Sequence, residues 1–245
     1  MSFENYTNCV FRAFLLHTKP AEVIKRKQEI LAGVSDFYNF SPNTVLYVGF
    51  NPAILAASKQ KIFVTDISEE ACTFLKNNGV EFTYIPRDKL SQYKKQFDAV
   101  IALDEYFTFA ESDKEQKDKV SDICSLAKEY VITTCKDYKN QEFKDREFSI
   151  PALIRGSEIG IYLEFHDHNL QDRNVWNTKV FEIVKEKLFI SGTHARRAMF
   201  FKQLAKFSTD AGAVGFTVHK NLMYKSLIKK NYEHVISIQF DNHGS

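Results

Sequence analysis

Short apolar runs alternate with longer polar stretches through the middle of the chain. Five such runs read TVLYVGF, KIFVTDI, VEFTYIP, FDAVIALDEY and YVITTC, at residues 44–50, 61–67, 80–86, 97–106 and 130–135. Runs rich in valine and isoleucine, with helical segments between them, are typical of a parallel sheet covered on both faces. Right-handed crossovers then give a doubly wound, mostly parallel sheet. Residues 45–135 are therefore predicted to form a Rossmann-like α/β core.

The flanking segments extend this α/β pattern. Residues 1–40 are expected to be helical, with one apolar stripe that includes Val23, Ile30 and Val34, until Pro42 ends the segment. Further helices are predicted at 68–79, capped by Gly79, and at 112–129. Beyond residue 135 the pattern predicts a polar loop at 136–149, strands at 158–169 and 177–191, an amphipathic helix at 194–212, a strand at 215–220, a short helix at 221–230 and a last strand at 232–240.

These elements divide the chain into three predicted regions. Residues 1–40 are an N-terminal helical segment, and residues 41–170 are the Rossmann-like core. Residues 171–245 are a basic α/β extension that we expect to pack on the core, since no flexible linker separates them.

Composition is that of an ordinary globular protein. The 245 residues are 44% hydrophobic and 26% charged, and no apolar stretch has the length that a membrane-spanning helix needs. We expect no secretory signal and a cytoplasmic location. Cysteines 9, 72, 124 and 135 are widely spaced, which argues against a disulfide framework and against a structural zinc site.

The net charge of +2 hides a basic C-terminal region. Residues 179–233 contain eleven lysines and arginines but only four acidic residues. Such a region predicts an anionic partner, and nucleic acid is one candidate. Aromatic residues such as Trp176 and Tyr224 would be available to stack on bases. The alternative is a set of solvated faces with no partner.

The clearest chemical feature is the turn after the first strand. Gly49 allows a tight turn and a close approach of a ligand, and a helix is expected to begin at Pro52. The second strand ends at Asp66, where a carboxylate can accept hydrogen bonds from both hydroxyls of a ribose.

In these residues the sequence resembles class I S-adenosylmethionine-dependent methyltransferases over roughly residues 25–170. The resemblance implies a Rossmann-like methyltransferase fold with S-adenosylmethionine as cofactor. It places the glycine turn at Gly49, the ribose carboxylate at Asp66 and the methyl-transfer centre after the fourth strand. The implied cofactor-binding residues are Gly49, Phe50, Asn51, Asp66, Ile67, Arg87, Asp88 and Asp104.

The turn also departs from the family pattern. The acidic residue usual in the first strand is Tyr47, and the second and third glycines are Asn51 and Ala53. A generic turn without a cofactor is therefore an alternative. Asn51 would obstruct a dinucleotide pyrophosphate, and no GK[ST] sequence follows as a P-loop would require.

Candidate catalytic residues are Asp104, Glu105 and Lys136, which follow the fourth and fifth strands. No NPPY-like tetrapeptide marks an enzyme acting on base amino groups. The Lys-Asp-Lys-Glu tetrad of ribose 2′-O-methyltransferases can be laid on Lys27, Asp104, Lys136 and Glu164, where a lysine would take the hydroxyl proton.

Histidines supply two weaker candidates. Glu164, His166 and His168 alternate along one strand, so they share a face; a metal site there is the alternative to a solvated strand end. We expect no metal. His194, with Arg196 and Arg197, would open a helix whose first turn suits a phosphate, or would simply be exposed.

Three functions follow from these observations. The first is a methyltransferase acting on a nucleic acid or another anionic substrate. The second is a catalytically inactive, methyltransferase-like binding or scaffold protein, which the altered glycine turn favours. The third is a small-molecule methyltransferase.

Overall fold

A computed structural model describes residues 3–57, 59–136, 138, 146–149, 152–155, 159–190, 192–229 and 232–241 of the chain. Five α-helices lie within these residues: α1 Phe3–Leu15, α2 Pro20–Tyr38, α3 Glu69–Asn77, α4 Asp113–Leu126 and α5 Phe201–Asp210. Side chains fix several of their ends. Ser68 and Ser112 accept hydrogen bonds from the first turns of α3 and α4, and Asn39 ends α2 in a left-handed conformation.

The central sheet has seven strands. In chain order they are β1 Thr44–Val48, β2 Lys61–Thr65, β3 Phe82–Tyr84, β4 Phe97–Ala102, β5 Ala127–Cys135, β12 Gly215–Lys225 and β13 Tyr232–Gln239. Their spatial order is β12-β13-β5-β4-β1-β2-β3. The pairs among β1 to β5 are parallel, whereas β13 runs antiparallel to both β5 and β12. The predicted doubly wound, mostly parallel sheet is confirmed.

A second, antiparallel sheet is inserted between β5 and α5. It is built from β6 Arg146–Phe148, β7 Ala152–Arg155, β8 Ile159–His168, β9 Val175–Val184, β10 Lys187–Ile190 and β11 His194–Arg197. The long hairpin β8–β9 forms its centre, and the inward positions of β8 and β9 alternate regularly with outward ones. The predicted boundary at residue 170 falls between β8 and β9, within this sheet.

Helix α1 is packed inside the molecule. Eight of its thirteen residues are buried, among them Phe3, Tyr6, Phe11 and Phe14. Phe11 and Phe14 pack against Phe50 and Phe74, while Arg12 forms an ion pair with Glu182 of β9 at 2.7 Å. Because apolar side chains lie on more than one side of it, α1 is a core helix that joins the two sheets. The predicted helical N-terminus is confirmed.

Three predicted helices differ in the structure. Only a short 3₁₀ turn, Pro52–Ala56, follows Gly49, because β2 begins too soon for a full helix. The helix predicted from His194 begins at Phe201, and His194–Arg197 pairs with β9 as a strand. The residues predicted as a short helix at 221–230 instead continue β12 as far as Lys225, held by pairing to β13.

Other expectations meet the structure in part. Within the polar stretch predicted as a loop, Arg146–Phe148 is a strand, whereas residues 137 and 139–145, like Lys230, lie outside the described residues. Cys9, Cys124 and Cys135 are buried thiols, and Cys72 is half-buried. Among the residues that the structure describes, no helix is both long and apolar enough to span a membrane.

Candidate active site

The turn after β1 packs directly against α1. Gly49 has φ +85°, and its N–H donates to the carbonyl of Thr65 at 2.8 Å. A β-carbon at this position would lie 2.5 Å from Cγ2 of Thr7 and 2.8 Å from Cε1 of Phe3. The side chain of Asn51 accepts from the N–H of Ala53 and so starts the 3₁₀ turn. Glycine is therefore required here both for conformation and for space.

Asp66, which follows β2, is the next acidic residue at this edge of the sheet. Its backbone is left-handed, with φ +53°, and its side chain is only 4% exposed. Nη1 of Arg87 lies 2.5 Å from Oδ2 of Asp66, and Nη2 of Arg87 donates to the hydroxyl of Tyr106. Burial raises the pKa of Asp66 in spite of this cation. The predicted ribose carboxylate is thus engaged by a residue of the same chain.

The residues after β4 are also strained. Asp104 and Glu105 have φ values of +57° and +56°, a conformation that costs an L-residue about 1–2 kcal/mol. The hydroxyl of Tyr224 donates to Oδ2 of Asp104 at 2.9 Å. The other carboxylate oxygen of Asp104, Oδ1, is buried without a hydrogen bond from any described residue.

Glu105 lies at the centre of a buried charge network, here termed the Glu105 cluster. Its Oε2 lies 2.8 Å from Nζ of Lys229, 3.2 Å from Nη2 of Arg196 and 3.5 Å from Nζ of Lys136. Tyr138 donates to its other oxygen. Burial opposes ionisation, but Lys136, Lys229 and Arg196 together hold the pKa of Glu105 well below its ordinary value. The members of the cluster are Glu105, Lys136, Glu164, Arg196, Lys229 and Glu233.

Each remaining carboxylate of the cluster also has partners. Glu164 accepts from the hydroxyl of Tyr6 at 3.0 Å and lies 3.9 Å from Nη1 of Arg196. Glu233 lies 3.2 Å from Nζ of Lys229 and accepts from the hydroxyl of Thr134 at 2.6 Å. Three carboxylates thus face three cations in the interior. Since buried charges are tolerated only when paired, the network positions the end of β4 more than it offers a free base.

Helix α1 fills the space between Gly49 and the end of β4. The ring of Phe3 meets Tyr106 at 4.8 Å and Phe109 at 5.0 Å between centroids, both edge to face. The hydroxyl of Thr7 donates to the backbone carbonyl of Asp66 at 3.0 Å. The cleft at the carboxyl ends of β1, β2 and β4 is therefore occupied by the first turns of α1.

The other predicted cofactor residues lie around this cleft without lining an open space. Phe50 and Ile67 are buried, each 2% exposed, and Phe50 packs on α1. Arg87 turns inward to Asp66, whereas Asp88 is exposed beside Lys89.

The four residues of the predicted tetrad fall in one region but do not form one contact set. Lys27 lies over the ring of Tyr224, whose hydroxyl bonds Asp104. Lys136 instead pairs with Glu105, and Glu164 bonds Tyr6.

The predicted face on β8 is confirmed, but its setting is not the solvated strand end. Glu164, His166 and His168 are all buried, and Nε2 of His166 lies 3.6 Å from Oε2 of Glu164. No metal-binding group of three or more such residues occurs among the described residues. His194 is also buried, against Tyr6 and Phe109, so it opens no phosphate-binding helix.

Sequence patterns miss the residues that complete the cluster. They assign Arg196 to a helix, although the alternation in His194-Ala-Arg-Arg also fits a strand with His194 and Arg196 inside. They place Lys229 and Glu233 in a basic tail. No local signal connects Glu105 with Lys229, which is 124 residues away.

Comparison with solved structures agrees on the fold. DesVI from Streptomyces venezuelae is 12% identical, with a TM-score of 0.68 over 96% of this chain and 98% of that one. An S-adenosylmethionine-dependent methyltransferase from Clostridium acetobutylicum is 13% identical, with a TM-score of 0.64 over 88% and 91%. CalS10, an amino pentose methyltransferase from Micromonospora echinaspora solved with S-adenosylmethionine bound, is 11% identical, with a TM-score of 0.59 over 88% and 92%.

Sequence comparison adds nothing to this likeness. No protein-family profile and no curated protein sequence matches the chain. At such low identity, the structural likeness establishes the fold alone. The fold expected from the resemblance to class I methyltransferases is confirmed.

Proposed function

We propose that this chain, which has the class I methyltransferase fold, is an S-adenosylmethionine-dependent methyltransferase for a small molecule. One observation carries the proposal. The residues that follow β1, β2 and β4, namely Gly49, Asp66 and Asp104, all have positive φ and meet at one edge of the sheet. A left-handed backbone is costly at the two aspartates, and such conformations cluster at functional sites. Ligands of open α/β sheets bind at this edge.

Gly49 and Asp66 are the positions that the resemblance to class I methyltransferases assigns to cofactor binding. The turn would receive the amino-acid part and Asp66 the ribose hydroxyls, with Asp104 between cofactor and acceptor. When bound, the cofactor supplies an electrophilic methyl group. The space itself does not fit the cofactor while Phe3 and Thr7 occupy it and Arg87 holds Asp66. Binding therefore requires the start of α1 to leave the cleft.

A small-molecule acceptor is favoured over a nucleic acid by where the basic residues lie. Arg196 and Lys229 are buried in the Glu105 cluster, and Arg197 pairs with Asp113 and Asp172 at 2.6 Å. These three cations are already paired with carboxylates of the same chain. CalS10 methylates an amino pentose, which agrees with a small acceptor. Binding of nucleic acid by the remaining lysines stays a prediction.

The second candidate is a methyltransferase-like binding protein without cofactor. The occupied cleft favours it, because Phe3, Tyr6 and Thr7 complete a packed, hydrogen-bonded interior where the cofactor would lie.

Calorimetric titration with S-adenosylhomocysteine and S-adenosylmethionine separates the two candidates. We expect both ligands to bind, and Asp66→Ala to weaken binding by about tenfold or more, since a buried carboxylate that accepts ribose hydroxyls would be lost. Asp118→Ala, on the exposed side of α4, is the matched control and should leave affinity unchanged.

Absence of heat with either ligand at about 1 mM would leave the binding-protein candidate standing. Equal affinities of the Asp66 and Asp118 variants would show that the ribose does not reach Asp66.

A further inference from the structure

A cavity lies next to the Glu105 cluster, since Lys229 lines it. Its volume is about 660 Å³, and its walls come from α2, β7, the end of β12 and the turn at residues 226–229. It is large enough for a small-molecule ligand. None of Gly49, Asp66 or Asp104 lines it.

The wall of this cavity is strongly basic. Arg26, Lys27, Lys225 and Lys229 line it, and Glu29 is the single acidic residue among its described lining residues. Arg26 lies at the rim with a side chain that is 77% exposed, whereas Lys27 and Lys229 are buried, only 6% and 3% exposed. Basic side chains therefore lie both at the mouth and in the interior.

Lys27 differs from Lys229 in its partners. Lys229 is neutralised by Glu105 and Glu233, which hold its pKa well above the ordinary value in spite of burial. The ammonium of Lys27 donates to the backbone carbonyl of Lys225 and lies 3.5 Å from the ring centroid of Tyr224. No described carboxylate lies within ion-pair distance of it. Burial lowers the pKa of Lys27 to about 8, although Asp104 and Glu233 oppose that shift from farther away. A buried ammonium with no directly paired carboxylate is costly, and an anionic ligand would pair with it.

Apolar side chains form much of the rest of the wall. Val23 and Ile30 of α2, Ile154 of β7, and Leu222 and Leu227 face the same space. A ligand that satisfies both parts of this wall has an anionic group and a hydrocarbon or aromatic portion.

We propose that this cavity binds a small amphipathic anion, a molecule with a phosphate or carboxylate group that is met by Lys27 and an apolar part that lies on Leu222 and Leu227. Tyr224 connects this cavity to the candidate active site, because its ring contacts the ammonium of Lys27 and its hydroxyl donates a hydrogen bond to Asp104. The cavity is thus the acceptor site of the enzyme. That assignment rests on the proposed function, whereas binding of the anion does not.

The test is calorimetry on the full chain with three probes: hexyl phosphate, inorganic phosphate and hexan-1-ol. Hexyl phosphate carries both features of the ligand, and the other two probes carry one each. We expect hexyl phosphate to bind at least about tenfold more tightly than either of them. Equal binding of hexan-1-ol would overturn the anionic assignment, and equal binding of inorganic phosphate would overturn the apolar one.

Two variants locate the site. Lys27→Met keeps an unbranched side chain that is one atom shorter, removes its charge and should weaken hexyl phosphate binding by about tenfold or more. Arg26→Gln, at the exposed rim, should weaken it by a smaller factor. Lys76→Met on α3 is the matched control and should bind as the unmodified protein does. Thermal unfolding followed by circular dichroism establishes that each variant is folded.

Unchanged binding by both Lys27→Met and Arg26→Gln, or equal loss in Lys76→Met, would overturn the proposal. The titration with S-adenosylhomocysteine is independent of this result. If the protein binds hexyl phosphate but not S-adenosylhomocysteine, the cavity assignment stands and the methyltransferase proposal is rejected. If it binds S-adenosylhomocysteine but not hexyl phosphate, the methyltransferase proposal stands and the cavity assignment is rejected.

Discussion

Gly49 is required for two separate reasons at one position. Its φ of +85° disfavours a β-carbon, and its surroundings also exclude one, because Thr7 and Phe3 stand within 3 Å of where that carbon would lie. Gly79 has a similar φ of +74°, but no atom lies within 4 Å of the place that its β-carbon would take. Substitution of Gly79 therefore tests the cost of the left-handed backbone alone, whereas substitution of Gly49 adds the cost of a steric clash.

Gly79→Ala should lower the free energy of unfolding by about 1 kcal/mol, the cost of a left-handed alanine. Gly49→Ala should lower it by about 2–4 kcal/mol, because α1 must also move away from the new methyl group. Urea unfolding at neutral pH measures both values. Equal losses in the two variants would show that α1 does not press on the turn.

Several site residues can be predicted from sequence at this scale, and others cannot. Gly49, Asp66 and Asp104 follow apolar strands closely, so local pattern places them at the edge of the sheet. Partners such as Tyr224 come from distant segments. Phe50 is expected beside a ligand, but it faces α1, since the direction of a side chain after a turn depends on what packs there.

Helix α1 is the element whose position matters most for the cleft. Its aromatic residues indicate a buried helix, yet the sequence does not say what they pack against. In the structure the first turns occupy the cleft, and Phe11 and Phe14 pack on Phe50 and Phe74. The cofactor-binding proposal requires the start of α1 to move while its later turns stay packed. That movement would expose Gly49 and release the backbone carbonyl of Asp66 from Thr7, and Arg87 would still have to give up the Asp66 carboxylate.

Phe3→Ala should raise the affinity for S-adenosylhomocysteine. The substitution removes the ring contacts with Tyr106 and Phe109 that hold the cleft closed, so the open fraction of molecules increases. Apparent affinity rises with that fraction, and a gain of about three- to tenfold is expected. Calorimetry measures it, with Phe37→Ala, exposed on α2, as the matched control. An unchanged or weaker affinity would contradict a closing role for α1.

At the scale of the whole molecule, two sheets enclose a charged interior. The Glu105 cluster receives side chains from the ends of β4 and β5, from β8, from β11, from the segment before β13 and from β13 itself. His166 and His194 lie in the same interior. Burial lowers the pKa of each to about 4.

These histidines make stability fall in mild acid. The folded protein protonates them only near pH 4, whereas the unfolded chain does so near the ordinary value of 6.5. The unfolded state therefore binds more protons between those values, and stability is lost as pH falls through this window. Each histidine should contribute a loss of about 1–2 kcal/mol between pH 7 and pH 5.

Urea unfolding at pH 7, 6 and 5 measures that loss. His194→Phe should reduce it, because the ring nitrogens of His194 have no hydrogen-bond partner among the described residues and phenylalanine can fill the same space. A variant that loses as much stability as the unmodified protein would show that His194 does not titrate in this window.

The sequence alone determined the parallel order of strand and helix, the helical N-terminus and the positions of Gly49, Asp66 and Asp104. Those features depend on local periodicity and on which residues follow a buried strand. Tertiary structure decided that α1 lies in the cleft, that His194–Arg197 is a strand, and that Glu105 meets Lys229 and Arg196. These outcomes depend on contacts between segments far apart in the chain. Competing local patterns, such as helix or strand for the same residues, are resolved only by what each segment packs against.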